Sequence, residues 1–139
     1  MNVVIREYKD SDNLSLNKVL KESFNLEKKG NNNNNNNNNI ELVAVHNNIV
    51  VGYLVINKVF DSLKNNYYAL INYVCVKEEY RNNKIGSNLL QKAIGICKEE
   101  NIIYIELTSN KNRVEAQHLY KKYGFIIRDT DVFRKELIW

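Results

Sequence analysis

The sequence predicts a single domain of mixed α/β class over all 139 residues. Short runs rich in β-branched and aromatic residues are typical of strands, and apolar residues at helical spacing indicate helices between them. These elements follow one another as β α β β β α β α β β. The order favours an antiparallel meander, one parallel βαβ unit with a right-handed crossover, and a closing hairpin. We therefore expect a mostly antiparallel sheet with helices on both faces.

The first half of the chain predicts one helix and four strands. The helix should cover Asn13 to about Phe24, because apolar residues recur there at helical spacing after several candidate N-cap residues. A loop is predicted at Val59–Asn66. The predicted strands are Val3–Tyr8, Ile40–His46, Ile49–Lys58 and Tyr67–Val76.

Nine consecutive asparagines, Asn31–Asn39, interrupt this half of the chain. A polar homopolymer has no apolar face to bury, so it cannot offset the entropy lost on ordering. We predict a loop or insert there. A neutral insertion and a working binding loop both remain open.

The second half of the chain predicts two helices and three strands. The helices should run from Gly86 to about Glu100 and over Arg113–Tyr123, the latter ended by Gly124. The predicted strands are Ile102–Leu107, Phe125–Arg128 and Val132–Leu137.

The composition excludes several classes of protein. Hydrophobic residues make up 44% and charged residues 26% of the chain, as in ordinary globular domains. No apolar run approaches the roughly 18 residues of a membrane span, so we expect a cytoplasmic protein without a membrane partner. The net charge of +4 is spread along the chain, which argues against nucleic-acid binding. Cys75 and Cys97 are predicted to be buried, and no residue spacing indicates a metal site.

The segment Ile71–Leu90 has the pattern of a phosphate-binding device. A strand leads into a charged loop, and the loop opens an amphipathic helix. The first amides of a helix have no internal partner, and the helix dipole favours an anion there. Arg81 can add a charge-assisted contact. We expect a phosphate-bearing ligand at this loop.

Two motifs follow one another in the second half of the chain. The first is Val74-Cys75-Val76 followed by Arg81-Asn82-Asn83-Lys84-Ile85-Gly86, and the second is Ala116 to Tyr120 followed by Gly124-Phe125. With both motifs in this order, the chain resembles the GNAT superfamily of N-acetyltransferases. This resemblance implies a GNAT-like fold and acetyl-coenzyme A as cosubstrate.

The resemblance also implies which residues bind the cofactor. The strand end Val74, Cys75 and Val76 would pair with the pantetheine arm, and a backbone N–H of Cys75 or Val76 would polarise the thioester. The loop would hold the pyrophosphate through Arg81, Asn82, Asn83, Lys84, Ile85 and Gly86. Lys84 departs from the family, because it stands where a glycine is usual. If its φ is positive, we expect a cost of about 1 kcal/mol.

Other site residues are implied by the same resemblance. Tyr120 matches the tyrosine that protonates the leaving thiolate, and a phenol is protonated at neutral pH. Asn112 and Arg113 are assigned to the cofactor, although a surface role for Arg113 is equally open. Asn72 and Tyr73 are assigned to the acceptor. No general base is assigned, because neither of them is a base at neutral pH.

Three functions remain open at this point. The first is transfer of acetyl to a primary amine of a small molecule. The second is N-acetylation of a protein or peptide, and the third is a non-catalytic coenzyme A-binding module. The apolar carboxyl end at Ile138-Trp139 leaves a homodimer open as well.

Overall fold

The computed structural model describes residues 1–29 and 38–138. They belong to two compact units, Met1–Thr108 and a second that begins at Ser109. Of the predicted asparagine loop, residues 31–37 lie outside the described residues, and Asn39 begins a strand. The single-domain organisation stays a prediction. No helix in the described part of the chain has the length and apolar character needed to cross a membrane.

The first unit is a twisted sheet with two helices. Within its described residues, five strands lie in the order β1-β2-β3-β4-β5, antiparallel except for the parallel pair β4–β5. Short 3-10 turns lie at Asp10–Asp12 and Glu78–Tyr80. The strands are β1 (Val4–Glu7), β2 (Asn39–His46), β3 (Ile49–Asp61), β4 (Asn66–Val76) and β5 (Ile105–Leu107), and the helices are α1 (Asn13–Phe24) and α2 (Ile85–Glu99).

These elements confirm the predicted fold class, with differences at some ends. β3 continues to Asp61 and pairs with the start of β4, so the loop predicted at Val59–Asn66 is only a hairpin turn. β5 begins only at Ile105, because the chain after α2 is still tied to that helix at Ile102, whose N–H donates to the carbonyl of Cys97 at 3.0 Å. The predicted βαβ unit is present and ends the sheet.

A β-bulge interrupts the pairing of β3 with β4. Tyr53 pairs with Cys75 and Val55 pairs with Asn72, so two steps along β3 match three steps along β4. The extra residue belongs to β4, where Tyr73 has a left-handed φ of 56°. The last residues of β4 therefore change direction relative to the rest of the strand.

The helices cover opposite faces of the sheet, because successive residues of a strand point to opposite sides. On one face Leu16, Val19 and Leu20 of α1 belong to the same apolar cluster as Tyr53 and Val55. On the other face α2 lies against Gly52. A Cβ added to Gly52 would lie 3.0 Å from Ile85 Cγ2 and 3.0 Å from Leu89 Cδ1. Gly52 thus lets the first turns of α2 approach β3 closely.

A partly buried ion pair fixes the connection between β1 and α1. Arg6 donates to both carboxylate oxygens of Asp12 at 2.7 and 2.9 Å, and the N–H of Lys9 donates to Asp12 Oδ2 at 2.8 Å. The hydrogen bonds from Arg6 hold the pKa of Asp12 below its ordinary value. The charged form of Asp12 is therefore favoured by folding.

The second unit contains α3 (Val114–Lys122), whose carboxyl end is a Schellman motif. Gly124 has a φ of 90° and donates to the carbonyl of Lys121 at 3.1 Å. Phe125 donates to the carbonyl of Tyr120 at 3.0 Å, and the two rings meet edge to face with centroids 6.1 Å apart. The glycine and phenylalanine of the second motif therefore support Tyr120.

The strands predicted at Phe125–Arg128 and Val132–Leu137 are wrong, since neither range forms a strand in the structure. Their apolar residues are mostly exposed, including Ile126, Ile127, Val132 and Phe133. Alternating apolar residues favour a strand only where a partner strand supplies hydrogen bonds, and an isolated two-stranded hairpin is marginal in water.

Two glycine substitutions test the packing of α2 on the sheet. Gly52→Ala should lower the free energy of unfolding by about 1–3 kcal/mol, because the added methyl overpacks Ile85 and Leu89. Gly95→Ala is the matched control, because nothing lies within 4 Å of its added Cβ in α2. It should raise stability by about 0.5–1 kcal/mol through helix propensity. Urea denaturation measures both, and equal effects would contradict the close approach at Gly52.

Candidate active site

The loop between β4 and α2 is held by backbone hydrogen bonds, one of them to β3, and by the side chain of one asparagine. The N–H of Lys77 donates to the carbonyl of Val51 at 2.8 Å, and that of Tyr80 donates to the carbonyl of Lys77 at 2.8 Å. Asn83 Nδ2 donates to the carbonyls of Tyr80 and Arg81 at 3.1 and 3.2 Å. These bonds give the exposed loop a defined shape without a glycine between Lys77 and Lys84.

Lys84 enters α2 in the left-handed conformation, with a φ of 62° and a ψ of 18°. Asn82 also has a positive φ, but asparagine tolerates this region better than lysine does. The conditional prediction of strain at Lys84 is therefore confirmed in its geometry. The strain is local to the residue that directly precedes the helix.

The amino end of α2 has the donors that an anion needs. In the described part of the chain no side chain caps this helix, and its first turn carries no acidic residue. Arg81 and Lys84 are exposed beside it, and Arg81 Nε donates to the carbonyl of Val76 at 3.2 Å. Arg81 thereby ties the strand end to the loop. This donor set, backbone amides with two cations, fits a pyrophosphate group.

The strand end that precedes the loop extends beyond its parallel neighbour. The register with β5 ends at Ile71 and Leu107, whereas β4 continues to Val76. Cys75 is buried in the cluster beneath α1, as predicted for this cysteine. Val74 and Val76 are half-buried on either side of it. The strand end and the loop are thus contiguous.

The two residues predicted for the acceptor lie at the bulge. Asn72 is half-buried and pairs with Val55. Tyr73 is 49% exposed, and its ring meets Phe24 of α1 edge to face with centroids 5.5 Å apart. Tyr73 also lines a cavity of about 380 Å³ with Glu41 and Tyr53.

The cavity contains a polar cluster of Glu41, Tyr53 and Lys28, and the sequence pattern does not indicate that these residues are in contact. The hydroxyl of Tyr53 donates a hydrogen bond to Glu41 Oε1. Lys28 Nζ lies 2.9 and 3.1 Å from the two oxygens of the same carboxylate. Tyr53 looks like an ordinary core aromatic in an apolar strand, and Lys28 looks like a surface lysine. The available signal was Glu41, a charged residue in an otherwise apolar strand.

A larger cleft of about 530 Å³ lies between the edge of the sheet and α2. Its charges are mixed, with Arg6 and Lys92 beside Glu7, Glu99 and Glu100. None of the residues predicted for the site lines it. The smaller cavity is the candidate acceptor site because it borders the strand end.

The second unit carries the remaining predicted residues. Asn112 and Arg113 are exposed at the start of α3, where their backbone N–H groups donate to Asn110 at 2.9 and 3.0 Å. Tyr120 is 6% exposed. Burial raises the pKa of its hydroxyl, and the charge of Arg113 offsets this in part. Tyr120 is therefore a protonated phenol at neutral pH.

His46 and Glu106 are titratable side chains of the first unit that do not line the smaller cavity. His46 Nδ1 lies 2.8 Å from the carbonyl of Asn2, and its ring contacts Tyr80 of the loop. Glu106 lies on β5 and pairs with Leu70 of β4. Over the described residues, no group of three or more histidine, cysteine or acidic side chains is placed to hold a metal ion. No general base is assigned by this geometry.

Lys84→Gly should raise the free energy of unfolding by about 1 kcal/mol, because glycine adopts a positive φ without the steric cost that lysine bears. Lys92→Gly removes the same charge from the middle of α2 and should lower stability by about 1 kcal/mol. Thermal and urea denaturation distinguish the two signs. A destabilised Lys84→Gly protein would mean that the lysine is not strained.

Comparisons with known proteins show what this chain is similar to. The family model described as acetyltransferase (GNAT) family matches residues 6–125. Streptothricin acetyltransferase A of Bacillus subtilis (strain 168) is 38% identical over 66 residues, which cover 48% of this chain and 38% of that protein. A second protein of that strain, provisionally named ribosomal protein bS18-alanine N-acetyltransferase, is 36% identical over 56 residues, 40% and 37% of the two chains. This chain thus matches less than half the length of these relatives.

A solved structure extends the similarity to the whole fold. The crystal structure of an acetyltransferase from Trypanosoma brucei superposes with a TM-score of 0.85, at 16% sequence identity, over 97% of this chain and 100% of that one. At this identity the similarity shows the fold alone. The family model, however, runs from Arg6 in β1 to Phe125 after α3. This protein belongs to the acetyltransferase (GNAT) family.

Proposed function

We propose that this protein transfers acetyl from acetyl-coenzyme A to a primary amine of a small molecule. The observation that carries the proposal is the amino end of α2, where helix amides without a side-chain cap lie beside the exposed cations Arg81 and Lys84, in the loop that follows the bulged strand β4. Membership of the acetyltransferase family supports the same reading. Acetyl-coenzyme A would supply an acetyl thioester, whose C–S bond breaks as the new C–N bond forms.

The loop residues would hold the pyrophosphate. Arg81 supplies a planar guanidinium, and Lys84 supplies a second positive charge at the start of the helix. Asn83 keeps the loop in shape through its bonds to Tyr80 and Arg81, and Asn82 adopts the left-handed turn. The backbones of Ile85 and Gly86 belong to the first turn of the helix.

The strand end would align the pantetheine arm and the thioester. Val74, Cys75 and Val76 form the part of β4 that follows the bulge. A backbone N–H of this stretch would stabilise the oxygen that becomes negatively charged during acyl transfer. Asn112 and Arg113 are proposed as further cofactor contacts from the second unit.

Tyr120 would donate the proton that the leaving thiolate needs. Its pKa lies above that of an ordinary phenol because it is buried, so the hydroxyl stays protonated in neutral and mildly alkaline solution. The acceptor nitrogen must lose its own proton, and that proton is not assigned to a named base.

The names of two relatives bear on the acceptor. Streptothricin acetyltransferase A points to a small molecule, and the second relative points to the alanine of a ribosomal protein. We favour the small molecule because Tyr73, one of the two proposed acceptor residues, lines a cavity of about 380 Å³, the size of a small-molecule pocket. The cytoplasmic location and the homodimer stay predictions.

Arg81→Ala should weaken the binding of coenzyme A roughly tenfold or more, because a charge-assisted contact to phosphate is lost. Isothermal titration calorimetry measures this affinity. Arg134→Ala is the control, because it removes an exposed arginine whose partner, at 3.7 Å, is Glu136. An unchanged affinity in Arg81→Ala would place the cofactor elsewhere.

Tyr120→Phe should lower kcat for acetyl transfer about 100-fold while the affinity for acetyl-coenzyme A is retained, because only the proton donor is lost. Thiol release is followed with a panel of small amines and a peptide that begins with alanine. Tyr123→Phe is the matched control from the carboxyl end of the same helix. Transfer to the peptide alone would favour the second acceptor class. No thiol release with any acceptor would leave a coenzyme A-binding module.

A further inference from the structure

The cavity beside the bulge has the build of a site for a small organic cation. Its apolar wall comes from Leu20 and Leu26 near the end of α1 and from Val55 of β3. Glu41, Tyr53 and Tyr73 converge on it from three adjacent strands. Apolar walls with a few convergent polar groups, in a volume of about 380 Å³, are typical of small-molecule sites.

Glu41 is held as a hydrogen-bond acceptor at the rim of this cavity. The hydroxyl of Tyr53 donates to Oε1, and Tyr53 is only 4% exposed. Burial raises the pKa of Tyr53 far above that of an ordinary phenol, so this group keeps its proton and remains a donor. The carboxylate is therefore fixed in position and directed by a rigid partner.

Lys28 forms an ion pair with this carboxylate, but its single positive charge is smaller than the total negative charge of the cavity. Its ammonium contacts both oxygens of Glu41 and lies 4.9 Å from the centre of the Tyr8 ring. A carboxylate has about four acceptor positions, and the contacts from Lys28 and Tyr53 are three in number. Glu27 also lines the cavity, which gives two carboxylates against one ammonium. This balance favours a cationic ligand.

The cavity is placed beside the proposed acetyl-transfer site. Tyr73 lines the cavity and directly precedes Val74–Val76, the strand end proposed for the thioester. Its ring is fixed by Phe24 and is half exposed, so it can cover the carbon skeleton of a ligand or face an ammonium group. An acceptor bound here would reach the strand end from the α1 face of the sheet.

We propose that this cavity binds an acceptor that carries two amines, one of which remains protonated and pairs with Glu41. The inference rests on the proposed function. An ammonium held by a carboxylate has no lone pair with which to attack a thioester, so the nitrogen that accepts acetyl is the other one. The substrate class is thus a compact diamine or an amino sugar with at least two amino groups, and Glu41 is its specificity-determining residue.

Binding without acetyl-coenzyme A tests this inference directly. The probes are 1,4-diaminobutane and 2-deoxystreptamine, with 4-amino-1-butanol as the single-amine match, titrated into ¹⁵N-labelled protein and followed by NMR. At least one diamine should shift the amides of Glu41, Tyr53 and Tyr73 and bind at least tenfold more tightly than the amino alcohol. Equal affinities, or no shift at these amides at millimolar concentration, would overturn the proposal.

Variants show whether Glu41 is responsible. Glu41→Gln should abolish the preference for the diamine while coenzyme A affinity is unchanged, and Glu41→Asp, which keeps the charge, should retain a preference. Glu99→Gln is the control, because it removes the same charge from an exposed position on α2. A preference that survives in Glu41→Gln would contradict the assignment, and circular dichroism verifies that each variant is folded.

Failure of the Glu41 proposal can be distinguished from failure of the proposed acetyltransferase function. Diamine binding that depends on Glu41 without any acetyl transfer would refute the proposed function and leave a cation site. Acetyl transfer that treats 1,4-diaminobutane and 4-amino-1-butanol alike would support the proposed function and refute the role of Glu41.

Discussion

The extra residue in β4 is the constraint on which the candidate site depends. Because three residues of β4 match two of β3, the strand cannot continue in its original direction past Tyr73. The same irregularity exposes Tyr73 to the cavity and directs Val74–Val76 toward the loop. The candidate acceptor cavity and the proposed cofactor loop both depend on this one local departure from regular pairing, and a slip in that register would displace both.

The loop between β4 and α2 joins a closely packed helix to a strained residue. Gly52 allows Ile85 and Leu89 to approach the sheet, which fixes where α2 begins. Because the start of the helix is fixed, Lys84 must adopt a left-handed backbone conformation to connect the loop to α2. The cost of that conformation is small beside the stability of a domain. Strain tolerated beside an exposed anion site agrees with a binding role, since a cation is then held where phosphate is expected.

The sequence was sufficient for the helices and for most strands because their apolar spacing reflects burial directly. It was also sufficient for the loop, since Arg81 to Gly86 are consecutive and carry the family motif. It failed at Phe125–Arg128 and Val132–Leu137, where a strand depends on a partner that apolar spacing does not specify. It missed Lys28 and Tyr53 because their role depends on a three-dimensional contact with Glu41, which residues distant in sequence create.

The polar cluster at Glu41 is better explained by binding than by stability. Removing a carboxylate, an ammonium and a phenol from water carries a large desolvation cost, and apolar residues of similar volume are often neutral or stabilising in such positions. Lys28 is 13% and Glu41 24% exposed at the side chain, so the pair is neither a freely solvated surface contact nor a sealed core contact. A partly desolvated carboxylate at the edge of a cavity interacts strongly with an incoming cation. Core stability alone does not explain a charge beside the strand end, whereas the binding of a cationic ligand does.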